Sequence, residues 1–227
     1  MEFTYYGHAC FAVKVGDTCL LFDPFITPNE LAKSVDIEHI EADFICLSHA
    51  HADHLADAVS IATRTKAKVI CIYEVYEWLV KQGIENVHPM NIGGQAIFDF
   101  GALKCVNAVH SSALPDGSYG GNPMGFLICT QEGNFYYAGD TALTLDMQLI
   151  PRWAKVDFCI LPIGDNFTMG YQDAIIASEF VQCNTVIGVH FDTFGFIKIN
   201  HQKALQAAKT ANINLILPVI NQTISLS

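Results

Sequence analysis

Basic side chains are scarce in this chain. Its 227 residues include 12 Lys and Arg against 23 Asp and Glu, for a formal charge of −11. That balance disfavours an extended nucleic-acid surface, which relies on cations to neutralise phosphates. Divalent ions, if bound, would reverse the sign only locally. Charged residues of both signs make up 15% of the chain and apolar residues 51%, which favours a well-buried globular body. No uninterrupted apolar run reaches the roughly eighteen residues that span a bilayer, so no membrane insertion is expected. Met1–Thr4 lacks the basic start and apolar block of a secretory signal, and a cytoplasmic location is the expectation. No Cys-x-x-Cys pair occurs among Cys10, Cys19, Cys46, Cys71, Cys105, Cys129, Cys159 and Cys183. A zinc ribbon is therefore unsupported, and scattered thiols inside apolar runs read as small buried hydrophobes in a reducing compartment. Nor does a Pro-, Ser- or Gly-rich linker divide the chain, which is read as one domain over residues 1–227.

What the chain does have is histidine in one place. His49-Ala-His51-Ala-Asp53-His54 puts four potential metal ligands into six residues, directly after the apolar run Phe44–Leu47. Imidazole nitrogen and carboxylate oxygen suit zinc and neighbouring divalent ions. A strand ending here would present His49 and His51 on one side, because side chains alternate with a period of two. The following turn can carry Asp53 and His54 to a second metal position nearby. The alternative is a polar loop that happens to be rich in histidine.

Periodicity predicts strands over Phe3–Tyr6, Phe11–Val15, Thr18–Phe22, Phe44–Ser48, Lys68–Ile72, Leu103–Val109, Gly125–Thr130, Asn134–Ala138, Phe158–Leu161, Thr185–Val189 and Asn214–Leu217. Gly16-Asp17 and Glu132-Gly133-Asn134 read as hairpin turns. Helices are predicted over Leu55–Thr63, Tyr73–Gln82, Ala142–Ile150, Gln172–Val181 and Gln202–Ala211. Hairpins interleaved with helices suggest an α/β fold of two mixed sheets with helices outside, although composition alone allows other layered domains.

Three more candidates share the placement of the histidine segment. His110 follows the strand Leu103–Val109, Asp140 follows Asn134–Ala138 through Gly139, and His190 follows Thr185–Val189. Loops at strand C-termini can converge on one edge of a layered fold, which joins seven dispersed residues into one hypothesis. Taken singly, His110 and His190 read more readily as structural histidines. Asp140 reads equally as a helix N-terminal residue.

The series His-x-His-x-Asp-His, then His110, Gly139-Asp140 and His190, resembles the metallo-β-lactamase superfamily over nearly the whole chain, from about Gly7 to Ile224. The resemblance implies a four-layer αββα sandwich with a site for two divalent metal ions. His49, His51 and His110 would hold one ion, Asp53, His54 and His190 the other, with Asp140 bridging. Zinc is the first expectation, and manganese, iron or nickel are compatible. The oxygen-reducing di-iron branch usually has Glu at the position of His51, so the histidine argues for hydrolysis over redox chemistry. Gly7-His8-Ala9-Cys10-Phe11, Asp23-Pro24-Phe25, the Pro162–Gly170 segment and His190-Phe191-Asp192-Thr193-Phe194 resemble the compact bacterial metal-dependent hydrolases of that superfamily. These are related to the L-ascorbate-6-phosphate lactonases and, more distantly, to the N-acylphosphatidylethanolamine phospholipases D.

The expected chemistry is hydrolysis of a small ester, lactone or phosphoester by a hydroxide bridging two ions, with Asp53 as the catalytic carboxylate. Asp23 is a candidate to fix the unligated nitrogen of a ligand histidine; equally, it is a turn residue before Pro24. His8, Asp165, Asn166 and Thr168 are candidates for substrate contact, against purely structural roles for His8 and for the 165–168 turn. Lys198 is a weaker anchor for an anionic group, and a solvated surface lysine is the simpler reading. The glycine-containing loop Ser111–Met124 could act as a flap over the site. His39, His88 and His201 match no motif and read as surface or structural residues. The competing functions are a nucleic-acid phosphodiesterase, a silent metal-binding protein and a β-lactamase; the expected partner is a small-molecule substrate.

Overall fold

A computed structural model describes residues 1–226. The first apolar runs form strands β1 (Glu2–Gly7), β2 (Cys10–Val15), β3 (Thr18–Phe22), β4 (Phe44–Cys46), β5 (Lys68–Ile72) and β6 (Val87–Met90). A second set follows: β7 (Gln95–Phe98), β8 (Gly101–Asn107), β9 (Met124–Thr130), β10 (Gly133–Tyr137), β11 (Phe158–Pro162), β12 (Thr185–Val189) and β13 (Asn214–Ile216). Strand β14 (Thr223–Ser225) then returns to pair with β1. Each sheet has seven strands, ordered β14-β1-β2-β3-β4-β5-β6 and β13-β12-β11-β10-β9-β8-β7.

Both sheets are mixed in the same way. One half is an antiparallel meander, β1 to β3 in the first sheet and β7 to β10 in the second. The other half is parallel, β3 to β6 and β10 to β13. Two antiparallel steps restore direction, so β1, β3 and β4 run alike, as do β8, β10, β11 and β12. Their C-terminal ends share one rim of each sheet.

The period-two pattern decides which side chains fill which layer. Phe135 and Tyr137 of β10 and Phe158 and Ile160 of β11 join Phe3, Phe11 and Phe22 in the core between the sheets. Their neighbours Tyr136, Ala138, Cys159 and Leu161 face outward into a second core. Phe22 sits at the inter-sheet centre, its ring 4.7 Å from Phe11 and 6.1 Å from Phe126. Burying side chains of this size is worth about 1.5–3 kcal/mol each.

Helices α1 (Ala52–Leu55), α2 (Ala58–Thr65) and α3 (Tyr73–Lys81) cover the first sheet through Leu55, Ile61, Val75 and Leu79. Helices α4 (Ile150–Trp153), α5 (Tyr171–Val181) and α6 (His201–Thr210) cover the second through Ile150, Ala174, Val181 and Ala208. The architecture is thus the expected αββα sandwich.

Several elements differ from their sequence expectation. The helix expected over Ala142–Ile150 is instead a 3-10 turn, Leu145–Leu149, continuing into α4. Thr144 caps that turn by accepting the Asp146 N–H at 3.4 Å, and Pro151 offers no amide to extend a regular helix back through it. The helix expected over Leu55–Thr63 is split into α1 and α2 at Asp57, whose carboxylate accepts the Ile26 and Thr27 amides at 2.6 and 2.9 Å. Strand β4 stops at Cys46 rather than Ser48, because Ser48 turns its amide to Asp23 at 2.7 Å. Strand β8 runs Gly101–Asn107 rather than Leu103–Val109, and the Val109 amide goes to Thr141 Oγ1 at 2.9 Å. Edge strands β6, β7 and β14 were not expected; they are short and half-exposed, and β6 contains Pro89, tolerated at an edge.

Candidate metal centre

Every residue of the histidine-rich cluster stands just beyond a strand of the shared rim. His8 follows β1, Asp23 follows β3, and the segment 49–54 follows β4. On the other sheet His110 follows β8, Asp140 follows β10 and His190 follows β12. Backbone bonds lace these loops together: Met124 N–H to Ser48 O at 3.0 Å, Ala142 N–H to Val109 O at 3.0 Å, and His190 N–H to His8 O at 2.8 Å. Gly139, at φ +64°, makes the turn into Asp140; a Cβ there would lie 2.8 Å from Met124 O.

Helix α1 has a single turn, and that brevity matters. Successive helical residues diverge by about 100°, so Asp53 and His54 leave the backbone in different directions. Asp53 reaches His8, with Oδ2 3.1 Å from Nε2. His54 lies fully buried between two carboxylates, its Nδ1 2.9 Å from Asp23 Oδ2 and its Nε2 3.3 Å from Asp140 Oδ2.

Two sets of donor atoms result, linked by a third made of His49, His54 and Asp140. His49, His51 and His110 each offer one nitrogen within 4.8 Å of the other two. His8, Asp53, His54 and His190 do the same as a second set. Asp140 Oδ2 belongs to both neighbourhoods, 3.0 Å from His190 Nε2, 3.3 Å from His54 Nε2 and 3.6 Å from His110 Nε2. All seven residues expected at the centre are therefore brought together.

The donor atoms fit divalent ions on local grounds. His49 Nε2 and His51 Nδ1 point at each other across 2.9 Å, and His54 Nε2 and Asp140 Oδ1 are buried without a hydrogen-bond partner. A buried polar atom left unpaired costs about 1–3 kcal/mol; a cation accepting those lone pairs would offset that cost. The outer nitrogens of His49 and His54 have partners, whereas His190 Nδ1 is buried without one. Asp23 accepts Ser48 N–H at 2.7 Å, Ser48 Oγ–H at 2.6 Å and Tyr137 O–H at 2.6 Å besides facing His54. Ser48 Oγ also touches His49 Nδ1 at 3.0 Å.

Charge and burial split the histidines. Burial and the nearby His54 charge hold His49 well below the usual imidazole range, and burial also lowers His51 and His110. His54 goes the other way: burial would lower it, but Asp140 and Asp23 outweigh burial and raise it well above. For Asp140, burial opposes ionisation and the His190 and His54 charges overcome it, leaving the carboxyl well below its ordinary range. Burial likewise opposes ionisation of Asp53, and the His8 hydrogen bond and the His54 charge hold it low. Burial, with the His190 charge, pushes His8 down to about 4.

The candidate substrate residues divide. His8 is in the cluster but hydrogen-bonds Asp53, which sequence reasoning missed; its left-handed backbone, at φ 56°, and its partner 45 positions away leave no local signal. Asp165, Asn166 and Thr168 make no hydrogen bond to the seven-residue cluster among the described residues. Asp165 accepts the Asn166 N–H at 2.7 Å and Thr168 donates to Met169 O at 3.3 Å, both bonds within the turn. Asp165, Asn166 and Lys198 instead line a neighbouring cavity of about 370 Å³ with Gln172 and Asn200. The Ser111–Met124 loop is a small hairpin closed by an Ala113–Tyr119 bridge and tied to the cluster, since Ser112 Oγ accepts the Ala50 N–H at 3.2 Å. His39 pairs with Asp36 and His88 packs on Phe98, while His201 pairs with Asp192, two residues beyond His190.

Comparison with known proteins gives a consistent picture. A sequence model of the beta-lactamase superfamily domain matches residues 18–191, a span that includes the seven residues expected at the centre but not His8. A UPF0173 metal-dependent hydrolase of Flavobacterium johnsoniae is 50% identical, the match covering 100% of both chains. The solved structure of Igni18, a metallo hydrolase of the archaeon Ignicoccus hospitalis, is 31% identical with a TM-score of 0.88, covering 98% of this chain and 97% of that one. An isothiocyanate hydrolase from Delia radicum gut bacteria shares the fold, with a TM-score of 0.81 at 19% identity over 100% of both chains.

Proposed function

The chain belongs to the beta-lactamase superfamily, and on that premise we propose that it is a metal-dependent hydrolase of a small ester, lactone or phosphoester, built as one domain. His49, His51 and His110 would hold one divalent ion and Asp53, His54 and His190 a second, with Asp140 between them. The observation that carries this reading is Asp140 Oδ2, which faces His54 and His190 from one set and His110 from the other at 3.0–3.6 Å. An anionic oxygen shared by both sets is what two neighbouring cations require.

When bound, such ions polarise a carbonyl or phosphoryl oxygen and favour ionisation of water near neutral pH. Nitrogen-rich donors with carboxylates suit zinc first, with manganese, iron or nickel compatible. The chain supplies the rest. Asp53, kept ionised by His8 and His54, orients the attacking water and passes its proton toward the leaving oxygen. Asp23 fixes the His54 ring through Nδ1, so that Nε2 faces Asp140. Phe194, centred 5.2 Å from the His8 ring, forms an apolar wall at this end of the cluster.

The scarcity of Lys and Arg favours a small substrate over nucleic acid. The eight free cysteines suit a reducing compartment such as the cytoplasm. Among the described residues no helix is long and apolar enough to cross a membrane. The test is a panel of lactones, esters, phosphoesters and RNA at matched metal loading, for the wild type and Asp53→Ala. Metal-dependent turnover of a small ester, lactone or phosphoester that disappears in Asp53→Ala is expected. Cleavage of RNA alone, or full activity in Asp53→Ala, would overturn the assignment.

A further inference from the structure

His8 does more than line the site. Its Nε2 lies 3.1 Å from Asp53 Oδ2, and its Nδ1 lies 3.0 Å from Thr193 Oγ1. A neutral imidazole carries one N–H, so the arrangement is satisfied when Nε2–H donates to Asp53 and the Thr193 hydroxyl gives its proton to Nδ1 at 3.0 Å rather than to Phe191 O at 3.4 Å. The ring is also clamped: its centroid is 4.1 Å from His190, 5.2 Å from Phe194 and 5.5 Å from Phe25. The backbone is held as firmly, because His8 O accepts both the His190 N–H at 2.8 Å and the Tyr5 O–H at 3.0 Å. The side chain is fully buried.

We propose that His8 is a positioning residue: the chain Thr193–His8–Asp53 fixes the Asp53 carboxylate and thereby the affinity of the second ion site. Three features separate this role from direct ligation and from substrate contact. Both His8 nitrogens already have partners at hydrogen-bond distance. Asp53 has no other hydrogen bond among the described residues, so without His8 its carboxylate is free to rotate. A ring enclosed by His190, Phe25 and Phe194 has little surface left for a substrate. The aim of Asp53, one helical step before His54, therefore depends on a partner supplied by the loop after β1 on the same rim. The inference rests on the two-ion reading and adds the residue that sets one of its sites.

The test is titration of the metal-free full chain with Co²⁺, followed by absorption, for the wild type, His8→Phe and Thr193→Val. His8→Phe keeps a ring in the clamp and removes the N–H; Thr193→Val is isosteric and removes the partner of Nδ1. Loss of an outer partner of a ligand weakens metal affinity by about 10–100-fold. The expected result is a second Co²⁺ bound that much more weakly in His8→Phe and weakened in the same direction, by less, in Thr193→Val. The first Co²⁺ is unaffected, and the spectrum of the fully loaded protein keeps its wild-type band positions. In kinetics with zinc, kcat falls while KM changes little.

If two ions bind to the wild type and both bind equally well to His8→Phe and Thr193→Val, the positioning role is wrong and the two-ion reading stands. A shifted Co²⁺ spectrum at full loading would overturn it in favour of His8 as a ligand. Raised KM with metal affinity unchanged would overturn it in favour of substrate contact. A wild type that binds a single ion overturns both the inference and the reading beneath it. Should His8→Phe fail to fold, Thr193→Val decides by the same readouts.

Discussion

Asp23 and His54 are joined across the rim of the first sheet, carboxylate Oδ2 to imidazole Nδ1 at 2.9 Å, with both side chains fully buried. The same carboxylate receives Ser48 and Tyr137. Removing it in Asp23→Ala strands three buried donors and the His54 charge at once. Each buried group left unsatisfied costs about 1–3 kcal/mol, so the metal-free variant should lose more than about 3 kcal/mol in urea unfolding. Asp23→Asn, which keeps the shape, should lose less stability yet still bind metal more weakly. Wild-type stability in Asp23→Ala would remove Asp23 from its central place.

Gly164 forms the floor beneath His190. A Cβ at this position would lie 2.1 Å from His190 O and 2.9 Å from Ile197 Cβ, and the first of these is backbone. Gly164→Ala should therefore displace the His190 loop, at a cost of about 1–3 kcal/mol for overpacking. Thermal unfolding and metal titration together check this; an unchanged Tm with unchanged metal affinity would count against the tight packing.

Acid should destabilise the metal-free protein before its carboxylates matter. His8, held at about 4 by burial and the His190 charge, stays neutral when folded and gains its proton near 6.5 when unfolded. Such a group favours unfolding wherever the unfolded chain binds the extra proton. Its contribution is full above about pH 6.5 and is lost as pH falls toward 4, on the order of 3 kcal/mol. His49, His51 and His110 act in the same sense. His54 has the opposite sign, stabilising below 6.5 and losing that contribution as pH rises through its elevated folded value. Most of the His54 change lies above pH 6.5, whereas the histidines held low lose their contribution below it, so the urea midpoint should fall between pH 7 and pH 4.5. A flat midpoint over that interval would contradict the burial of neutral histidines.

The parts of this molecule that were legible in the sequence are those where local pattern and function coincide. The segment 49–54 gathers four candidate donor residues within one turn of chain, and His110, Asp140 and His190 each stand just past an apolar strand, so rim placement follows from strand direction. His8 illustrates the limit. Its partner is 45 residues away and its conformation, at φ 56°, is set by a bond from His190, so sequence placed it only near the substrate. Asp23 reads from sequence equally as a turn residue and as a supporting one, and the contacts from Ser48, His54 and Tyr137 that favour the second come from distant parts of the chain. Edge strands β6, β7 and β14 are short and only half-buried on their core side, which leaves a weak pattern, and the expected helix over Ala142–Ile150 gave way to the Thr144 cap and Pro151.

On the proposed reading, Asp140 stands between two ions. Elemental analysis of the purified, zinc-saturated chain measures it most directly, run beside His110→Ala and His190→Ala. Two equivalents of zinc per wild-type chain are expected, with one equivalent lost in each variant. A single equivalent in the wild type at saturation, or no loss in either variant, would contradict it.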